Sequence, residues 1–80
     1  KPFEKRIASI EAELEPLSRE AAEAEAWLAS EEAYADANRE RLQSTLRRRA
    51  ELASRIAQLE EDWLWVQAEM EEELGRAVRE

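Results

Sequence analysis

Between residues 3 and 28 the apolar side chains fall at Phe3, Ile7, Ile10, Leu14, Leu17, Ala21, Ala24 and Leu28, and their spacing alternates between four and three without a break. A stripe of that period stays on one face of an α-helix and forms an a/d seam; the inward face of a strand repeats every second residue instead. The residues between are mainly Glu, Arg, Ser and Ala, which suit solvated flanks. The seam predicts a helix from about residue 3 to about residue 30, roughly 40 Å long at a rise of 1.5 Å per residue. Pro2 fits its first helical position. Pro16 is the one interior helix breaker, and with Leu14 counted as a it falls at c, on the outer face. The expectation there is a bend and not an end.

The next stretch, SEEAYADANRE, loses the period and contains Asp36 and Asn38, each a candidate helix cap, so the turn is expected over about 31–37. A second seam then runs through Leu42, Thr45, Arg49, Leu52, Ile56, Leu59, Trp63, Val66 and Met70, with Leu46 and Leu74 beside it. It predicts a helix over about 38–74, with Gly75 at its fraying end. Two long helices and a short turn make one all-α domain, a two-helix antiparallel coiled-coil hairpin spanning 1–80. Setting Leu28 opposite Leu42 places Ile7 against Trp63, Leu14 against Ile56 and Ala21 against Arg49. Arg49 occupies a seam position, but Ala21 and Ala24 leave room for its stem to lie along the interface while the guanidinium reaches water. On this register the second helix overhangs the first beyond about Met70, and that end is expected to lean on further chain or on a neighbouring molecule.

Composition removes whole classes of function. The chain has no Cys and no His, hence no disulfide, no thiolate or imidazole ligand for zinc or haem, and no Cys or His nucleophile. Its carboxylates cluster as Glu31 with Glu32, Glu60 to Asp62, and Glu71 to Glu73. Consecutive helix residues point in different directions, whereas a cation site or an acid/base pair needs convergence. No phosphate-binding glycine loop or nucleophile motif is present, so no catalytic, cofactor or metal residue is assigned and the chain is not expected to be an enzyme by itself. No apolar run approaches a membrane span, and KPFEKR is not followed by the apolar core of a signal peptide. The lack of Cys suits a cytoplasmic location. A first residue of Lys rather than Met is expected of a piece of a longer protein.

Charge is distributed unevenly. The net charge is −8, yet NRERLQSTLRRR, residues 38–49, holds five of the twelve basic residues: Arg39, Arg41, Arg47, Arg48 and Arg49. A hairpin would carry acidic legs and a basic patch one to three turns below its tip. One reading is an end that contacts nucleic-acid backbone, approached end-on because acidic legs repel a polyanion. The other is a solvated helix face whose arginines pair with Glu20, Glu23, Glu25 and Glu40. Among the three Trp residues, Trp63 lies on the seam, Trp27 sits near the tip where it is placed to cover the turn with Tyr34, and Trp65 falls at c, facing away from the partner helix. Trp65 with Leu64, and the overhanging Met70 to Leu74, are candidate protein contacts or self-association surfaces.

AYADANRERLQSTLRRRAELASRIAQLEEDWLWVQAEMEEEL resembles the C-terminal coiled-coil domain of bacterial ABC-F ATPases of the YheS and Uup type. The features are Tyr34 in a turn after an acidic stretch, the Leu42 to Leu52 segment, and an acidic run into Trp63-Leu64 followed by Glu-rich heptads. PFEKRIASIEAELEPL is similar to the family's opening heptads, so the likeness covers nearly the whole chain. The acidity favours the YheS-like branch over the Uup-like branch, whose C-terminal domain is associated with DNA. The resemblance implies a parent protein with two ATP-binding cassettes, acting on ribosomes, whose ATP and Mg²⁺ sites lie outside these residues. It implies partners of ribosomal RNA or DNA at the basic tip, and the parent's cassettes elsewhere.

Overall fold

A computed structural model describes residues 2–79. Two helices, α1 (Pro2–Leu28) and α2 (Arg39–Arg79), run antiparallel and are joined by two short 3₁₀ turns, Glu31–Tyr34 and Asp36–Asn38. The hairpin is a rod of 66 × 15 × 15 Å. Every seam position named from the sequence is buried or half-buried except Arg49. Leu52, Leu59 and Val66 are the most enclosed on α2, at 1–2% exposure. All three sit at d of the α2 seam. Enclosing such a side chain contributes about 1.5–3 kcal/mol. α1 has only half-buried partners along its length, and its one fully buried residue is Leu28, at the closed end.

The register differs from the sequence expectation by about half a heptad. Trp63 shares a groove with Glu11 and Leu14, its indole Nε1 donating to Glu11 Oε2 at 3.3 Å, and Met70 shares one with Phe3. Antiparallel seams interleave an a residue of one helix with a d residue of the other. The a residue Met70 therefore lies beside the d residue Phe3, and the a-against-a pairing of Trp63 with Ile7 expected from the sequence gives way to this offset.

α1 continues through Pro16, which faces solvent. Pro16 has no N–H to give the carbonyl one turn back, and on this outer face that carbonyl is open to water. α2 does not end at Gly75 but runs on to Arg79. Ion pairs from Arg76 to Glu72 (3.0 Å) and Glu73 (3.1 Å) span Gly75 on the helix surface and offset part of the roughly 1 kcal/mol that a glycine costs there.

The reversal is made without glycine and without any positive φ among the described residues. Side chains hold it instead. The carbonyl of Trp27 accepts from the N–H of Ser30 at 3.0 Å and from its hydroxyl at 2.5 Å. The Tyr34 hydroxyl donates to the carbonyl of Leu28 at 2.8 Å, and the Asn38 amide donates to the carbonyl of Glu32 at 2.9 Å. Asn38, expected as a cap for α2, thus pins the turn. The sequence places Tyr34 over the turn, but the residue is 65% exposed and its hydroxyl is what ties it down. Ala33, with no exposed surface, fills the space between the helix ends that a larger side chain would force open.

Leu52→Ala is expected to destabilise the hairpin by about 2 kcal/mol, the low end for buried leucine because two helices close readily over the gap. Tyr34→Phe removes one hydrogen bond and should cost about 1 kcal/mol. Urea unfolding followed by circular dichroism measures both.

Candidate functional site

The five arginines of residues 38–49 take three different positions. Arg41 and Arg48 lie seven residues apart at g, and Arg55 continues the same column one heptad further. On α1 a matching column of Trp27, Glu20 and Glu13 faces them. Arg48 grips Glu20 with two parallel hydrogen bonds, Nε to Oε2 at 2.7 Å and Nη2 to Oε1 at 2.9 Å, and also reaches Glu51 at 3.3 Å. Arg55 donates to Glu13 at 2.7 Å. The guanidinium of Arg41 lies 4.2 Å from the centre of the Trp27 ring, a cation–π contact, with Glu32 at 3.9 Å. Further along the same flank Arg6 pairs with Glu69 at 3.4 Å.

Arg49 stands on the seam, and its exposed guanidinium donates to Glu25 at 3.1 Å. Arg39 and Arg47 are different: among the described residues neither has an ion pair or side-chain hydrogen bond, and both are exposed. Of the acidic partners named from the sequence, Glu20 and Glu25 are used, while Glu23 and Glu40 make no such bond among the described residues. Arg55 was not singled out from sequence. Its seven-residue spacing from Arg48 and Arg41 was the available signal.

Folding α1 back therefore sets acidic side chains beside Arg48 and Arg49 and an indole ring beside Arg41. The forked bond from Arg48 holds the Glu20 carboxyl below the usual Glu range, and the same pairing pushes the Arg48 guanidinium further up. Both groups are open to solvent, so salt screens the pair.

The aromatic and apolar candidates separate as well. Trp65 and Leu64 are 66% and 62% exposed, but they face opposite flanks. Trp65 borders a groove with Arg6, Ile10 and Asp62, whereas Leu64 borders one with Glu11, Leu14 and Glu60. They do not form one patch. Trp27 is half-buried under Arg41, and its indole N–H is enclosed without a hydrogen-bond partner, so its contribution comes from the ring face. Met70 is half-buried against Phe3, and Leu74 is 57% exposed beyond it.

Among the described residues no three acidic side chains converge as a metal site would require, and no helix is long and apolar enough to cross a membrane. Comparison with protein-family models, with curated proteins and with solved structures returns no match.

Glu20 should titrate below the ordinary Glu range when followed by NMR. Because its folded-state pKa is depressed, the stability it supplies is present above the unfolded-state pKa and lost as pH falls through the folded-state value. Arg48→Ala should return the Glu20 midpoint upward. An unchanged midpoint would show that the forked pair does not form in solution.

Proposed function

We propose that this chain is the C-terminal coiled-coil arm of an ABC-F-type ATP-binding protein of the YheS-like branch. It is non-catalytic and acts as a stiff spacer whose tip meets a polyanion, ribosomal RNA or another nucleic acid, in the cytoplasm. The observation that supports the polyanion contact is the pair Arg39 and Arg47, exposed cations near the tip with no acidic partner among the described residues. The resemblance in the turn and in the second helix supports the parentage. ATP and Mg²⁺ belong to the parent's cassettes, since this chain has no glycine-rich phosphate loop to hold them.

The geometry narrows the contact. Arg41, Arg48 and Arg49 have partners within the hairpin, and the acidic legs oppose any side-on approach. Two phosphates neutralised by Arg39 and Arg47 give a log–log salt slope of about −1.8 on duplex or about −1.4 on single strands; five would give about −4.5 on duplex. Binding of the hairpin to ribosomes and to duplex DNA across a salt series is expected to show the shallower slope. Arg39→Glu with Arg47→Glu should weaken it at least tenfold at low salt. Absent or salt-insensitive binding would remove the polyanion reading.

A second reading, a protein-docking arm, is favoured by the exposure of Trp65 and Leu64. Because they face opposite flanks, Trp65→Ala and Leu64→Ala would act on different partners or different sides of one partner. Weaker ribosome binding by Trp65→Ala with an unchanged salt slope would select this reading.

A further inference from the structure

α1 covers one stripe of α2, and a second stripe stands open beside it along the middle of the rod. Of the eight b and e positions of α2 between 43 and 67 only Glu60 is charged, whereas on the opposite flank four of the seven c and g positions are. Leu46 and Leu64 on this quiet flank are 41% and 62% exposed, and Ala50, Ala53 and Ala57 are exposed between them. The order of side chains is nearly the same read in either direction from position 55. Ala53 and Ala57 stand at equal distances from it, then Leu46 and Leu64, then Gln43 and Gln67; the exception is Ala50 with Glu60.

We infer that this face is a two-fold interface, on which a second copy of the chain docks with its α2 antiparallel to the first, making a four-helix bundle. Two observations choose that occupant. A two-fold contact needs a surface complementary to itself. An antiparallel seam centred on position 55 sets Leu46 on Leu64, Ala53 on Ala57 and Gln43 on Gln67 of the other copy, each contact made twice, and the central alanines let the helices approach to about 8 Å. The second observation is charge. Within the hairpin Met70 lies beside Phe3 on the seam and Glu60 beside Glu11 on this flank, so flank pairs are centred one position earlier than seam pairs. The same offset in the dimer centres its flank on Ser54 and brings Arg47 level with Glu61 of the second copy. Both are exposed, and neither has an ion pair or side-chain hydrogen bond among the described residues. The acidic residues that α1 brings to this side, Glu11, Glu15 and Glu25, are engaged by Trp63, Arg19 and Arg49. Glu60, facing Ala50 of the second copy, is the group that opposes the contact. The pairing does not rest on the polyanion reading; it occupies Arg47 and leaves Arg39 for the tip.

The test is sedimentation equilibrium of the 80-residue chain, without nucleic acid, from about 10 μM to about 1 mM, the range a small interface demands. The average mass should rise toward that of two chains. Leu46→Glu and Leu64→Glu, both at exposed positions, should each weaken pairing about tenfold or more with helical circular dichroism unchanged. Arg47→Glu and Glu61→Arg should each weaken it, the two together should restore it, and Glu60→Ala should tighten it. Direction is read from nitroxide labels: at Ser54→Cys they should sit side by side, and at Ser44→Cys about 33 Å apart along the rod. A single-chain mass at every concentration, pairing that survives both leucine changes, or Ser44 labels as close as the Ser54 labels would overturn the inference.

Discussion

Two helices packed along one seam can enclose only one stripe of side chains, and the rest of this molecule follows from that limit. Among the described residues the enclosed set is Leu28, Ala33, Leu52, Leu59 and Val66. So small a core fixes that the helices pair but leaves much of their alignment to the flanks. The flanks are supplied by a column of cross-helix contacts at heptad intervals, Trp27 with Arg41, Glu20 with Arg48 and Glu13 with Arg55. Each is exposed and individually weak. Together they oppose a slide of one helix along the other, because a shift by one turn would break them all.

This arrangement changes the meaning of the arginine cluster. Along the chain, five cations within twelve residues look like a single basic surface. In the hairpin they are separated by side of the helix: two join the column, one leans from the seam to Glu25, and Arg39 and Arg47 are left outward. A linear run of charge on a helix spreads around its circumference, so its apparent density overstates what one partner can meet. The proposed contact with a polyanion is correspondingly small and confined to the tip.

Both helices could be read from the sequence because the 4–3 spacing from Phe3 to Leu28 and from Leu42 to Met70 is a local property of the chain. The register was off by half a heptad, since periodicity identifies the seam but not how a and d layers interleave across it. The turn was located without its mechanism. Nothing in SEEAYADANRE states that the Tyr34 hydroxyl reaches back to Leu28 or that Ala33 is the plug; those depend on where the helices stop. Glycine's low helix propensity marks Gly75 as an end, but α2 runs through it because that propensity takes no account of the Arg76 pairs that bridge it. Of the candidate site residues, the burial or exposure of Arg49, Trp65, Leu64 and Leu74 followed from heptad position. The separation of Leu64 from Trp65 across the rod follows from the same counting, one step further: adjacent residues differ by about 100° around the helix.

The central claim is that the basic cluster first aligns the hairpin and only then leaves cations for a partner. Thermal unfolding of Glu20→Arg, Arg48→Glu and the double reversal tests it most directly. The account predicts that each single change lowers the midpoint and that the double reversal recovers most of the loss, since it restores the pair with its charges exchanged. A double reversal no more stable than the two single losses combined would contradict it, and the arginines would then be an ordinary solvated face.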